Sequence, residues 1–507
     1  GRPEVRSARM GIGLLLLAIF LGAAVVMFTR TLPAVITLPL MALAIAGGAA
    51  WIHGGISSQD VLQGVVGDGA VRLHAAMVVA FFGGALSFLM QKSGVAESAI
   101  KQGAELVGAD PLPVGVFSLL LVALLFTSIG GLGAVIMVSM IVLPLLATVG
   151  LSPAAGAAII LFGMSLGGVL NPSNWILYVE TMQVPVGTVK SYALVVFAAV
   201  MVAGCALIVV ELFKSRLVRW ERRFVVTLLL FAIVVGAISF ALVSSARGPG
   251  EEGAGPATWL VWTRRIGLVL FAGVLAAIAL DTFQRIRRWR QQEVKVRGWA
   301  YLIPIVPLGA ILVYDVPILA AFGIGLVYAV FATLRPGSMA LLVRSLIEGG
   351  SSVMPAVILM IGIGMLVSAV MGPSGWSAEH GGAQWPVLAA IEPILQRFTP
   401  STPIAYVLGF GLAAPLALYR GPLNVWGLGF GVATILLSSG VLPPAAIMAM
   451  LLSVGQIQGI CDPTNTANVW VANHQGVDVH TILLRTLPFV WLAVFAGLVV
   501  SAAWFLG

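Results

Sequence analysis

Residues 461–470 read CDPTNTANVW, and they follow the almost wholly apolar stretch 442–460, LPPAAIMAMLLSVGQIQGI. Proline lacks a backbone donor and clashes with the preceding helical turn, so Pro463 predicts a break in an apolar helix. Asp462, Thr464 and Asn465 surround this break with side-chain oxygens. A carboxylate at membrane depth costs about 2.5–3.5 kcal/mol on insertion scales and indicates a functional site. We therefore predict a cation or proton site at Asp462.

The composition places this break in a membrane. The chain has 507 residues, of which 60% are hydrophobic and only 9% charged, and its mean hydropathy is +1.07. A soluble domain carries roughly a quarter charged residues. The net charge of +8 comes from basic residues at the ends of apolar segments, where they set orientation, so we expect no nucleic-acid partner. Because no nucleophile–base set is visible, we predict a non-enzyme without a cofactor.

A second break matches the first at a constant offset of 291 residues. The segment 150–175 lies over 441–466, which places NPSN (171–174) over DPTN (462–465). At the same offset, the glycine-rich interruption SIGGLG (128–133) lies over YRGPLN (419–424). Each interruption splits an apolar stretch into two arms too short to span a bilayer separately, which favours a re-entrant hairpin.

Hydropathy and the repeat define the predicted organisation. We predict an all-α polytopic membrane protein of about 12 spans. Residues 1–213 form a first repeat, 214–298 a linker with two extra transmembrane helices, and 299–507 a second repeat. Basic segments flank the two central helices, so both segments are predicted to be cytoplasmic. With five crossings in the first repeat, the two copies are then inverted, and such inverted repeats with broken helices are typical of secondary transporters.

The breaks and tips supply the predicted site. Hard cations bind oxygen ligands, and half-helix N-termini attract anions, so a cation and an anionic substrate could bind together. Arg420 offers a planar fork that suits a carboxylate. Its alternatives are an arginine reaching for the membrane interface or pairing with Asp462, and each break could instead be a structural kink. The predicted substrate ligands are Ser128, Gly130, Gly131, Ser173, Asn174, Arg420, Asn424, Thr464 and Asn465. The predicted cation ligands are Asn171, Ser173, Gly421, Asn424, Asp462 and Thr464, with sodium possible at Asp462 and Asn171.

These motifs resemble the ion transporter superfamily, which includes divalent anion/sodium symporters, citrate carriers, C4-dicarboxylate carriers and the large membrane subunit of tripartite transporters. The resemblance rests on SGVAESAIKQGAELVGADP (93–111), the two tips and the two breaks. It implies a scaffold domain, a transport domain that moves like an elevator, a homodimer and a bacterial inner-membrane location. The tips depart from the Ser-Asn-Thr that divalent-anion members carry, so no subfamily is assigned.

Two functions are expected from these features. The first is a secondary carrier that couples a sodium or proton gradient to the movement of a di- or tricarboxylate. The alternative is the membrane subunit of a binding-protein-dependent transporter, or a sodium/proton antiporter.

Overall fold

The computed structural model describes residues 13–217, 236, 258–286 and 296–507, apart from positions 14, 16, 17, 24, 28, 30, 54, 109 and 336. The predicted central span 225–245 lies outside the described residues except for position 236. The predicted span 10–28 and the two basic linker segments, 214–223 and 285–297, lie partly outside them.

All regular structure in the described part of the chain is helical. Among the described residues, eight helices are long and apolar enough to cross a membrane, or up to nine if a bent pair counts as one span. The chain is thus an all-α polytopic membrane protein. Five shorter apolar helices, of 10–17 residues, accompany these spans. The predicted total of about 12 spans stays a prediction, because a hairpin arm and a short span have the same length and composition.

The first half of the chain follows the predicted sequence of spans, hairpin and broken helix. A π-helical segment, Asp60–Asp68, leads through one helical turn, Gly69–Val71, into the helix His74–Lys92. In chain order the helices are α1 (Ala18–Met27), α2 (Ala34–His53), α3 (His74–Lys92), α4 (Val95–Val107), α5 (Pro111–Phe126), α6 (Gly131–Thr148), α7 (Pro153–Val169), α8 (Pro172–Met182) and α9 (Val186–Lys214).

In the second half a similar helix order follows the one central helix that the structure describes, and some of its bounds differ from the predicted ones. The span predicted to begin at residue 353 begins instead at Ser338, and Arg344 pairs with Glu348 one turn further on within this polar stretch. The span predicted over 299–314 is an α-helix only from Ile305. The helices are α10 (Thr258–Ile286), α11 (Ile305–Tyr314), α12 (Ile318–Ala332), α13 (Ser338–Met371), α14 (Pro386–Phe398), α15 (Pro403–Ala413), α16 (Phe430–Ser438), α17 (Pro444–Cys461), α18 (Thr466–His474) and α19 (Val479–Phe505).

Both predicted helix breaks are present, and both hairpin interruptions separate two helical arms. α7 and α8 meet at 53°. Asp462 has an extended backbone, with φ −66° and ψ 113°, which ends α17 before α18 begins. Proline opens α5, α7, α8, α15 and α17, where its missing N–H costs nothing.

The helices pack as two groups that each draw on both halves of the chain. The first helix group contains α2, α3, α12 and α13, and the second contains α5–α9 and α15–α19. Within the first group α3 crosses α13 closely, since a Cβ atom on Gly84 would lie 2.4 Å from the carbonyl oxygen of Gly349. The groups meet where α3 packs on α8 and where α13 packs on α16. Both broken helices therefore lie in the second group.

Candidate functional site

The two breaks are built by the same hydrogen bonds. The side-chain oxygen of Asn171 accepts bonds from the backbone nitrogen of Ser173 at 3.0 Å and from its hydroxyl at 2.7 Å. One oxygen of Asp462 accepts the corresponding bonds from Thr464, at 2.9 Å and 2.7 Å. Residues that align at the 291-residue offset thus perform the same task, which is to turn the chain into the second half-helix.

The breaks differ in how they attach to the hairpin in front of them. Asn171 donates its own amide hydrogen to the carbonyl oxygen of Phe126, at 3.2 Å. A carboxylate has no hydrogen to donate, and in the second half Asn424 supplies it. Its Nδ2 donates to the carbonyl of Ala417, the counterpart of Phe126, at 3.0 Å, and to the second oxygen of Asp462 at 3.3 Å.

Asp462 is a buried carboxylate surrounded by uncharged donors. The whole residue is 1% exposed. Besides Thr464 and Asn424, the backbone nitrogen of Tyr419 donates to it at 3.0 Å. No basic side chain pairs with it among the residues that the structure describes. The negative charge is therefore stabilised by the second tip and by its own turn.

The first hairpin tip, residues 128–133, forms its hydrogen bonds with Pro304 and Ser87. The hydroxyl of Ser128 donates to the carbonyl of Pro304 at 2.8 Å, and the nitrogen of Gly130 donates to the hydroxyl of Ser87 on α3 at 3.2 Å. Ser128, Gly130 and Gly131 are not among the residues that line the cavity between the breaks. Their predicted substrate contact stays a prediction.

A cavity of about 200 Å³ lies between α7 and α17, with a contact between aligned residues at its wall. Ser165 donates to the side-chain oxygen of Gln456 at 2.7 Å, and these two residues are 291 positions apart. Asn174 from the first break and Asn465 from the second also face the cavity. No charged side chain is among its lining residues, which are Met164, Ser165, Gly168, Val169, Asn174, Leu177, Tyr178, Val425, Trp426, Leu452, Gly455, Gln456, Gln458, Gly459 and Asn465.

Two cavity residues, Gln456 and Gln458, were not among the predicted ligands. The sequence does contain a signal, because two glutamines interrupt the otherwise apolar stretch 442–460. Gln458 fixes the second hairpin, since its side-chain oxygen accepts from the backbone nitrogen of Val425 at 2.7 Å. Buried amides need hydrogen-bond partners. Gln458 finds one at the second hairpin tip, and Gln456 finds one in Ser165.

Arg420 lies at a neighbouring cavity of about 260 Å³, which it lines together with Pro463 and Thr464. The residue is exposed, and among the described residues its side chain has no hydrogen bond or ion pair. It therefore does not pair with Asp462, which was one of its alternative roles. Gly421, beside it, is buried, and a Cβ atom there would lie 2.0 Å from the carbonyl of Leu416. The tip can turn this tightly only with glycine at this position.

Asn468 is a further polar residue at the second break that was not among the predicted ligands. It is 1% exposed, and its amide nitrogen donates to the backbone carbonyl of Asp462 at 3.0 Å. Its side-chain oxygen is buried and has no hydrogen-bond partner among the described residues. A buried acceptor without a donor is a ready ligand for a cation. Within the described ranges there is no cluster of three or more His, Cys, Asp and Glu residues that could hold a metal ion.

Comparison with known proteins shows distant similarities to solved structures. No protein-family model matches the chain, and no curated protein matches it. Among solved structures, the YdaH transporter of Alcanivorax borkumensis is 12% identical, with a TM-score of 0.49 over 93% of this chain and 97% of that one. MtrF of Neisseria gonorrhoeae, described with a class of antimetabolite efflux pumps, is 14% identical, with a TM-score of 0.47 over 94% and 95%. Because both TM-scores are below 0.5, neither similarity supports a function for this chain.

Proposed function

We propose that the protein is a secondary active transporter that couples the movement of a cation to that of a small organic anion across a bacterial inner membrane. The observation that supports this most directly is the meeting of both helix breaks at one cavity. Asn174 and Asn465, aligned at the 291-residue offset, face the same space beside the contact of Ser165 with Gln456. Backbone broken in this way inside a membrane is tolerated where it lines a binding cavity.

The substrate preference follows from the ends of the half-helices. Asn174 stands in the first turn of α8, and Asn465 caps the start of α18. The N-terminus of a helix carries partial positive charge and free N–H groups, so it favours an anion without needing a basic side chain. The cavity itself adds amide donors from Gln456 and Gln458. Arg420, at the neighbouring cavity, would attract a carboxylate as it approaches.

The cation site is centred on Asp462. Its carboxylate is buried. The side chain of Asn468 donates to the backbone carbonyl of Asp462, and its own oxygen has no partner among the described residues. The corresponding position in the first half is the neutral Asn171, so the two predicted cation sites are unequal. A site with formal charge binds a cation more tightly in a low-dielectric surrounding.

The test is uptake by purified protein in proteoliposomes, under an imposed sodium or proton gradient, with di- and tricarboxylates as substrates. We expect accumulation with one of the two gradients, its loss in Asp462→Asn and a milder decrease in cation affinity in Asn171→Ala. Gradient-driven accumulation that survives intact in Asp462→Asn would contradict the cation role. Cation exchange without any organic substrate would favour an antiporter, and uptake that requires an added binding protein would favour a subunit of a tripartite system.

A further inference from the structure

Several polar side chains at the cavity between α7 and α17 are already bonded to the protein. Ser165 donates to Gln456, whose amide nitrogen donates in turn to the carbonyl of Leu452 at 2.9 Å. The amide nitrogen of Asn174 donates to the carbonyl of Gly168 at 2.8 Å. Part of the hydrogen-bonding capacity of each of these side chains is therefore taken up by the cavity wall itself.

Tyr178, on α8, lines the same cavity but its hydroxyl is free. The residue is 5% exposed, and its hydroxyl has no hydrogen-bond partner among the described residues. The ring is held by Phe430, with the two ring centroids 5.5 Å apart. A buried donor without a partner is destabilising, so its presence needs a specific reason.

Gln458, on α17, provides a second free donor at this cavity. Its side-chain oxygen accepts from the backbone nitrogen of Val425 at 2.7 Å, which fixes the orientation of the amide. The NH₂ group of Gln458 is thereby turned away from this nitrogen, and it has no partner within the described ranges. The residue is 6% exposed.

Both donors have access to open space. Neither the Tyr178 hydroxyl nor the Gln458 nitrogen is among the described polar atoms that are fully enclosed without a partner. Both residues are more than nine-tenths buried, and both line the cavity of about 200 Å³. This cavity is therefore the space onto which the two donors open.

A carboxylate group matches two free donors of this kind. It has two oxygen atoms and no hydrogen, so one oxygen can accept from the O–H group and the other from the N–H group. Hydrogen bonds to an ionised acceptor are stronger than those between neutral groups. A site that offers hydrogen bonds to one group of a substrate also discriminates strongly against ligands that lack this group.

We propose that Tyr178 and Gln458 form a two-donor site for one carboxylate group of the transported anion. The two-donor site rests on the proposed function, because it names the substrate group that the cavity binds. Asp462 and Asn468 are not among the residues that line this cavity. The ligands of the carboxylate and those of the cation are thus different residues, and each set can be changed separately.

The first experiment measures equilibrium binding of succinate and citrate to purified protein by titration calorimetry, without a gradient. Tyr178→Phe removes only the hydroxyl and should weaken binding at least roughly tenfold, the factor for one lost hydrogen bond to a charged group. The dimethyl ester of succinate, which carries no carboxylate, should not compete. Equal competition by the ester would overturn the assignment of a carboxylate.

The matched control is Tyr192→Phe, in which the same atom is removed from a bonded tyrosine. The Tyr192 hydroxyl lies 2.7 Å from that of Ser453 and donates to the carbonyl of Gly497 at 2.8 Å. Its removal should lower the unfolding temperature and leave the affinity unchanged. Tyr178→Phe should do the reverse, because the ligand-free protein loses no hydrogen bond. If Tyr178→Phe behaves like Tyr192→Phe, the hydroxyl serves the fold and the two-donor site is wrong.

The second donor is tested with Gln458→Glu. This variant keeps an acceptor for the nitrogen of Val425 but replaces the NH₂ group by an oxygen, so it should abolish carboxylate binding at neutral pH. Undiminished binding in Gln458→Glu would overturn the role of Gln458.

Ionic strength separates direct contact from attraction at a distance. Added choline chloride screens the exposed charge of Arg420, so the loss of affinity in Arg420→Ala should shrink as salt is added. The loss in Tyr178→Phe should stay the same. A Tyr178→Phe loss that disappears with salt would overturn the direct hydrogen bond.

The outcomes for the site and for the proposed function differ. Wild-type protein that binds a carboxylate through Tyr178 but does not accumulate it under a gradient would refute the proposed function alone. Gradient-driven uptake with unchanged affinity in Tyr178→Phe would refute the two-donor site alone. A wild-type protein that binds neither carboxylate would refute both.

Discussion

At the residue scale, the second hairpin tip contains two consecutive side chains in an unfavourable backbone conformation. Tyr419 and Arg420 have φ angles of 55° and 57°, in the left-handed region that glycine tolerates best. Such residues cost roughly 1–3 kcal/mol each and concentrate at functional sites. Both are exposed, so burial does not compensate for the strain. We therefore expect the arginine side chain at this position to serve a ligand rather than the fold.

This leads to a prediction in which stability and transport change in opposite directions. Arg420→Gly relieves the strain and should raise the unfolding temperature, while it weakens the apparent affinity for the anion in proteoliposome uptake. Arg420→Lys keeps the charge and the strain but loses the planar fork, so it should also weaken uptake strongly. If the Arg420→Ala variant transports with an unchanged apparent affinity for the anion, the substrate role is contradicted.

At the element scale, α9 and α19 are joined by a buried charge. The side chain of Glu211 is 3% exposed and pairs with Arg485, which is 33% exposed. Lys214, 57% exposed, approaches the other oxygen of Glu211 at 3.2 Å. Removing one partner of a buried pair leaves an uncompensated charge, whereas the exposed lysine is screened by water.

We predict that the three residues contribute unequally to stability. Arg485→Met leaves the buried Glu211 carboxylate with only the water-screened Lys214 and should cost up to about 3–5 kcal/mol. Glu211→Gln should cost less, because the arginine can reach water, and Lys214→Met should change stability by less than about 1 kcal/mol. Thermal unfolding of the three variants in one detergent measures this order. Equal losses for Arg485→Met and Lys214→Met would show that the pair is not effectively buried.

A second prediction at this scale concerns the crossing of α3 and α13. A Cβ atom on Gly349 would lie 2.5 Å from the carbonyl oxygen of Gly84 and 2.7 Å from the Cα of Ala85. Because these are backbone atoms, Gly349→Ala must move the helices apart, at a cost of about 1–3 kcal/mol. Gly323→Ala in α12 is the control, since nothing lies within 4 Å of its Cβ position. It should be neutral or stabilising by up to about 1 kcal/mol. Similar unfolding temperatures for the two variants would refute the close crossing.

The sequence predicted those elements that local chemistry determines. Pro172 and Pro463 each stand in a cluster of small polar residues within an apolar stretch, so both breaks could be placed from the sequence. The start of α13 could not, because hydropathy locates the apolar part of a helix and not the polar turns that precede it. Contacts between distant positions were also beyond reach. Neither Ser165 with Gln456 nor Glu211 with Arg485 leaves a local pattern, and the role of Asn424 becomes visible only when both halves are compared in three dimensions.

At the scale of the whole molecule, the two helix groups suggest how the site could move. The second helix group carries both breaks and the four amide side chains that line the cavity, and it touches the first helix group mainly through α3 with α8 and α13 with α16. A carrier of the elevator type would slide the second group past the first at these contacts. The position of the site relative to α3 would then change, while distances within the second group would stay constant.

The last prediction tests this motion with two engineered disulfides. A Cβ atom at position 83 in α3 would lie 3.6 Å from the Cβ of Ser173 in α8, within the usual range of about 3.5–4.5 Å for a disulfide. Oxidation of Gly83→Cys/Ser173→Cys should therefore lock the two helix groups together and reduce uptake at least roughly tenfold, with recovery on reduction.

The matched control is Gly497→Cys/Ser453→Cys, which joins α19 to α17 inside the second helix group, with a Cβ separation of 3.4 Å. Its disulfide does not cross between the groups, so uptake should be the same in the oxidised and reduced states. Each pair is compared with its own reduced form, which separates the crosslink from the effect of replacing Ser173. If the oxidised 83–173 pair transports at its reduced rate, the two groups do not slide at this contact, and the substrate must cross by local rearrangement of the tips.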